Sequence, residues 1–294
     1  MDAQRTLNGQ GLHAIQADGA APAVLVDGRS PGDLGVAVAA LRFAGGAHLA
    51  GHCGEHLISF HMSAPSMLRC AIAGRRLEHR AVAGSLSICP ANADCGVEAP
   101  DDIDAVSLVL SSECFAMEAL RADIAEPRLV ERLHGRDDPL LRLARLLLAE
   151  TAAGLPNGSL FWSSVSDQIF RHVATHHVAA PLVPVHGALS RRALNMLSDY
   201  VHAHIGEPIG VAELAAVAGC SRFHFSRLFR HATGMTPHRY VMRLRVTHAV
   251  DLLRGSAQPL SEVAAATGFT DQSHLSRWMR QVHGMAPGEL RRGN

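Results

Sequence analysis

The sequence predicts an α+β chain of two domains: a strand-rich N-terminal barrel with a helical hairpin, and an all-α C-terminal domain holding two helix–turn–helix units. Three observations carry this. One pattern near the C-terminus is written twice, the apolar spacing turns from strand-like to helix-like after Ser111, and the two halves carry opposite charge.

The repeat is the strongest of the three. Residues 221–237 read SRFHFSRLFRHATGMTP and residues 271–287 read DQSHLSRWMRQVHGMAP. At a shift of fifty positions His224, Ser226, Arg227 and Arg230 fall on His274, Ser276, Arg277 and Arg280. Gly234, Met235 and Pro237 fall likewise on Gly284, Met285 and Pro287. Just upstream the shift is forty-nine, setting Glu213, Ala215 and Gly219 on Glu262, Ala264 and Gly268, so one residue is inserted in the second turn.

Net charge is zero over 294 residues, yet residues 188–294 hold 13 Arg against 7 acidic residues and residues 1–187 hold 14 against 20. A basic C-terminal half behind an acidic one suits a nucleic-acid reader tethered to a regulatory domain. A hydrophobic content of 48% with 18% charged residues is that of a globular chain. No apolar run approaches the ~20 residues of a membrane span. The opening MDAQRTLNGQG lacks the apolar core of a secretory signal, so a cytoplasmic protein is expected. The six cysteines (53, 70, 89, 95, 114 and 220) form no CxxC pair and are expected to be reduced.

Residues 1–33, without sustained periodicity, are expected to be a tail with an edge strand at 23–26. Residues 34–110 alternate short apolar runs with Gly, Pro and Asp, placing strands at 34–43, 56–62, 67–73, 76–82, 85–89 and 105–110. Such spacing predicts a small barrel or sandwich.

Residues 111–180 are expected to be helical. A short helix is placed at 113–121, and Asp137-Asp138-Pro139 opens a longer one to Glu150, since acids and Pro suit a first turn. After the loop at 154–158, Ser159 is expected to cap a helix to about Val178. Leu140, Leu143, Ala144 and Leu147 share one face of the first helix, and Phe161, Val165, Ile169 and Val173 one face of the second. This hairpin is expected either to cover the barrel or to form a homodimer. Residues 181–187, with two prolines, are expected to be a linker.

The domain at 188–294 begins with a helix at 188–205. The first unit, about 211–233, has a supporting helix at 211–218, a turn at Gly219, a cap at Ser221 and a reading helix at 222–233. Phe225 and Phe229, at i and i+4, must face the core, which turns Arg222, Phe223, Ser226, Arg227 and Arg230 outward. Thr236 caps a connecting helix that starts at Pro237 and runs to Leu253. The second unit, about 260–283, repeats the plan with Asp271 as cap and Leu275 and Met279 inward. Gln272, Ser273, Ser276, Arg277 and Arg280 point outward, and His274 lies near the helix start. Arg can bridge guanine O6 and N7 and Gln can pair with adenine, while Arg230 and Arg280 are placed for phosphate.

Residues 245–287, RVTHAVDLLRGSAQPLSEVAAATGFTDQSHLSRWMRQVHGMAP, closely resemble the signature of the AraC/XylS family of bacterial transcription regulators, and the resemblance reaches back to about Ala188. Leu275 and Met279 stand where that family usually has Phe. The resemblance implies two helix–turn–helix units entering successive major grooves of promoter DNA, an activator that contacts RNA polymerase, and a small-molecule effector bound by the N-terminal domain. A weaker resemblance covers residues 74–92, GRRLEHRAVAGSLSICPAN, which look like a cupin-type sensor and imply a cupin-like β-barrel. Gly84-x5-Pro90 matches the start of the second cupin motif, but after it Asn92 stands for the usual Gly and Cys95 for the usual metal-binding His.

His48, His52, Cys53, His56 and His61 are dense in donor atoms, yet no HxH or HxxxE pair appears at cupin spacing. We expect no metal, no cofactor and no catalytic residue. His56, His61 and Arg69 are expected to line the effector cavity. Two other readings remain open: a metal-dependent cupin enzyme fused to a DNA-binding domain, and a thiol- or metal-based sensor using Cys53 or Cys95.

Overall fold

The computed structural model describes residues 15–18, 22–46, 48–52, 54–121, 124, 127–179 and 189–292. The expected linker lies outside the described residues.

Ten strands come first: β1 (Ile15–Asp18), β2 (Ala23–Arg29), β3 (Val36–Phe43), β4 (His48–His52), β5 (His56–His61), β6 (Ser66–Ile72), β7 (Arg75–Ala81), β8 (Ser85–Cys89), β9 (Asp94–Glu98) and β10 (Ile103–Leu110). Helix α1 (Ser112–Arg121) follows, then β11 (Arg128–Leu129) and β12 (Arg132–Arg136). The hairpin is α2 (Asp138–Ala152) and α3 (Gly158–His176), followed by β13 (Val178–Ala179). One sheet runs β1-β4-β9-β6-β7, a second runs β12-β8-β5-β10-β3-β2, and β11 pairs β13. Among the described residues no ladder joins the two large sheets, so the expected barrel is replaced by two open, facing sheets. The edge strand β2 bulges between Val24 and Val26 and packs under α2 rather than pairing onward.

Side-chain alternation divides the six-stranded sheet into two faces. On β5, β8 and β10 the even positions (Ile58, Phe60, Leu86, Ile88, Val106, Leu108, Leu110) join Leu140, Ala144, Leu147, Trp162 and Ile169 of the hairpin in one core. On β3 and β10 odd positions such as Leu41, Phe43 and Ala105 meet Leu68 and Cys70 of the other sheet. The hairpin therefore covers the second sheet.

Asp137 caps α2, accepting from Leu140 N–H at 2.9 Å, with Pro139 in the first turn. Its other oxygen accepts from His172 Nε2 and His177 Nε2, both at 2.7 Å, tying the start of α2 to the end of α3. The cap of α3 is Asn157, not Ser159, which lies inside the first turn. The reason is Glu150, whose buried carboxylate accepts from Asn157 N–H and Nδ2, each at 2.7 Å, and closes the loop two residues early.

The C-terminal half comprises α4 (Arg191–Ala203), α5 (Val211–Val217), α6 (Arg222–Thr233), α7 (Pro237–Gly255), α8 (Leu260–Ala266), α9 (Gln272–His283) and α10 (Pro287–Arg292). Each helix–turn–helix has its own core, and α7 belongs to both. Tyr240, Val241 and Leu244 pack with Phe225 and Phe229, whereas Met242, Val246, Ala249, Val250 and Leu253 pack with Leu275 and Met279. Arg245, buried on α7, donates to Ile205 O at 3.1 Å, to Gly268 O at 2.8 Å and to Glu207 O, bridging the two units. The repeat in sequence is a repeat in geometry. Gly234 (φ +73) and Gly284 (φ +70) end α6 and α9 in the left-handed conformation, each donating to the fourth residue back, Arg230 O and Arg280 O.

Candidate nucleic-acid interface

Ser221 caps α6 through His224 N–H, and Asp271 caps α9 through the N–H groups of Ser273 and His274. These caps fix the first turn of each helix, where the outward side chains begin. Burying Phe225 and Phe229 on α6, and Leu275, Met279 and Val282 on α9, leaves the opposite faces in solvent. Arg222, Phe223, Arg227 and Arg230 are exposed on the first, and Gln272, Ser273, Arg277 and Arg280 on the second. Among the described residues Arg227, Arg230, Arg277 and Arg280 have no carboxylate in ion-pair range, so their charge is unspent. Phe223 is 85% exposed, with the Arg222 guanidinium 5.7 Å from its ring centre.

The two serines are half-buried, with hydroxyls turned back along their own helices. Ser226 Oγ donates to Arg222 O at 3.3 Å and Ser276 Oγ to Gln272 O at 2.7 Å. His274 is also half-buried. It stands edge-on to Phe269, with Nδ1 3.1 Å from Thr270 Oγ1, and so braces the turn. Both faces carry two exposed arginines at matching positions and differ at the start, aromatic on α6 and amide on α9. A surface of this kind can meet phosphates through its arginines and base edges through Gln272, Arg277 and Phe223.

The N-terminal domain grips the other side of this half. Residues 30–35, the turn between β2 and β3, abut the end of α9 and the side of α7. Asp33 N–H donates to Gln281 O and Val282 O at 2.7 and 3.1 Å, and Asp33 O accepts from Arg243 Nη2 at 3.0 Å. Asp33 Oδ2 lies 2.7 Å from Arg239 Nη2, which also meets Glu113 at 3.2 Å. A side chain at Gly32 would come within 2.4 Å of Gly284 N. None of these residues belongs to the outward faces of α6 and α9, so docking leaves those faces free. Neither Asp33 nor Arg245 was legible as a contact, because both bond to carbonyls far away in sequence.

His283 closes α9 beneath this contact. Burial, aided by Arg243, Arg254 and Arg121, lowers its pKa to about 4, and burial alone does the same to His56. Each is neutral when folded but takes a proton in the unfolded chain near pH 6.5. Their stabilising effect is full above about pH 6.5 and is lost as pH falls toward 4. Urea unfolding at pH 7.5 and 5 is expected to differ by about 2 kcal/mol for each group, and equal free energies at the two pH values would refute this.

In the N-terminal domain the sheets enclose a cavity of about 120 Å³. His61 lines it, but His56 and Arg69 do not. His56 and His61 are five residues apart on β5 and therefore point to opposite faces. His56 packs edge-on against Phe115 and accepts from Ala91 N–H. Arg69 points outward on β6, paired with Glu78 at 3.2 Å and Glu98 at 3.6 Å. Cys95 lines the cavity, its thiol pKa lowered by a hydrogen bond with Cys89 against the effect of burial, while Cys53 lies outside the described residues. Among the described residues one trio of His, Cys or acidic groups is close enough to share an ion: Asp137, His172 and His177. It is self-satisfied as the hydrogen-bonded staple of α2 and α3. No helix of the described residues is long and apolar enough to cross a membrane.

A family profile described as "Helix-turn-helix domain" matches residues 214–293. The probable transcriptional regulator LumQ of Photobacterium leiognathi is 37% identical over 99 residues, covering 34% of this chain and 40% of LumQ. The HTH-type transcriptional activator RhaS of Escherichia fergusonii is 34% identical over 100 residues, covering 34% of this chain and 36% of RhaS. The matches thus span two fifths or less of these relatives' own length. Among solved structures, the DNA-binding domain of AdpA in complex with a target DNA is 33% identical at a TM-score of 0.32, covering 33% of this chain and 86% of that one.

Proposed function

The helix–turn–helix half of this chain belongs to the AraC/XylS family of transcription regulators, and from that premise we propose that the whole protein is a sequence-specific regulator whose N-terminal domain senses a small molecule. The observation that carries this is the pair of matched, unpaired arginine faces on α6 and α9, held by one shared helix. The similarity to RhaS, a transcriptional activator, favours activation and hence contact with RNA polymerase. A DNA reader of this kind works in the cytoplasm, without catalysis. The facing sheets and their cavity are compatible with a cupin-like sensor, and the exposed side of the α2–α3 hairpin, including Leu146, is available for a homodimer.

The roles divide by position. Arg277, with Gln272 and Ser273 in the first turns of α9, reads base edges in one major groove. Arg222, Phe223 and Arg227 do so in the next, about 34 Å away. Ser226 and Ser276 contact DNA only if their hydroxyls leave the backbone, and His274 supports the turn. Arg230 and Arg280 meet phosphate. A signal in the sensor acts by its differential affinity for two arrangements of the domains.

Arg277→Ala is expected to weaken binding to the cognate site by about 1–3 kcal/mol and to relax preference at one base pair. Arg230→Ala should weaken cognate and scrambled DNA alike and reduce the salt slope by about one. Equal losses on both DNAs for Arg277→Ala, measured by fluorescence anisotropy, would remove the base-reading role.

A further inference from the structure

The cavity between the two sheets has a composition that limits what it can hold. Among the described side chains lining it there is no Asp, Glu or Arg. A carboxylate or ammonium ligand would be buried without a counter-charge, which costs several kcal/mol. Most of the wall is apolar, including Leu41, Leu57, Ile72 and Val97. Burial raises the Cys70 thiol to about 11, so it stays protonated and adds to that wall.

The polar side chains on the wall, cysteines aside, are Ser59, His61, His79, Ser85, Ser87 and Ser107. His61 Nε2 lies 3.0 Å from Ala64 O, so it carries the proton and leaves Nδ1 as a bare acceptor. That Nδ1 is buried without a partner, and so is Nδ1 of His79 on the same cavity. Burial, with His134 and His61 nearby, lowers the His79 pKa and keeps its ring neutral. Ser59 Oγ and Ser107 Oγ, 3.0 Å apart on neighbouring strands, also line the cavity and keep spare hydrogen-bonding capacity. At about 120 Å³, somewhat below the about 150 Å³ of a cavity that takes up benzene, the space limits a ligand to one small ring or a short chain.

We infer that this cavity binds a small neutral molecule with an apolar body and a single hydroxyl, such as a phenol, whose O–H donates to an imidazole Nδ1. Binding at the cavity stands on the geometry, and only its consequence for DNA rests on the regulator reading above.

Full-length protein titrated by calorimetry with phenol, with its isostere toluene and with benzoate tests this. One phenol per chain is expected, bound at least about tenfold tighter than toluene, with benzoate weaker than either. In a variant carrying both His61→Leu and His79→Leu the preference for phenol over toluene should fall below about threefold while toluene still binds, which reports an intact cavity. Equal affinity for phenol and toluene in the wild type, tighter binding of benzoate, or no phenol binding up to its solubility would overturn the assignment. Promoter-DNA affinity in the same samples separates the two readings. Saturable phenol binding with unchanged DNA affinity would keep the site and remove its role as a sensor.

Discussion

Replacing Arg245 by Ala is expected to lower the unfolding free energy of the C-terminal domain by about 3–5 kcal/mol. Arg245 as a residue is only 8% exposed, and burial lowers the pKa of its guanidinium, yet it stays charged. What offsets that burial is the set of three carbonyls it reaches: Ile205 and Glu207 beyond the end of α4, and Gly268 in the turn of the second unit. Ala would leave all three without a donor and open a gap between the units. Lys, with one compact charge in place of a planar fork, should recover only part of the loss. Urea unfolding followed by far-ultraviolet dichroism decides it, and a loss under about 1 kcal/mol would show that the units are held by apolar packing alone.

Gly32→Ala should release the N-terminal domain from the helix–turn–helix half. Gly32 has φ +62, a conformation that costs a non-glycine residue about 1 kcal/mol or more, and the added carbon would meet the backbone nitrogen of Gly284 at 2.4 Å. Neither backbone can yield without moving the turn. The Asp33 amide, which donates across the contact to α9, is the natural reporter. Its hydrogen exchange is expected to rise by about 30-fold or more, equivalent to about 2 kcal/mol of lost docking, while amides inside β10 keep their protection. An unchanged Asp33 rate would mean that the two glycines do not hold the domains together.

Elements that carry their own local signal are legible in the sequence. Ser221, Thr236 and Asp271 cap where a short polar side chain precedes an apolar helical period, and the strand at 85–89 coincides with β8. Among the strands that the sequence pattern misses, β4 (HLAGH), β9 (DCGVE) and β12 (RLHGR) hold few apolar residues and show no apolar alternation. The outward faces of α6 and α9 followed from the spacing of two buried residues on each. The cavity wall did not follow, since His56 and His61 can be told apart only when the facing of β5 is known. Ser159 failed as a cap for the same kind of reason: a carboxylate on the preceding helix, Glu150, governs the loop. Arg69 reads as a cavity residue only when its acidic neighbours on β7 and β9 are unknown.

Helix α7, nineteen residues and roughly 28 Å long, has one further consequence. Its two ends sit in different cores, so it behaves as a strut of fixed length and fixed twist. Each residue added to it would carry the second reader forward by about 1.5 Å and swing it by about 100°. A promoter that places its two recognition segments even one base pair further apart would ask for a different length and a different angle at once. For a chain that grips DNA with both readers, the gap between segments is then as much part of the recognised address as the bases themselves.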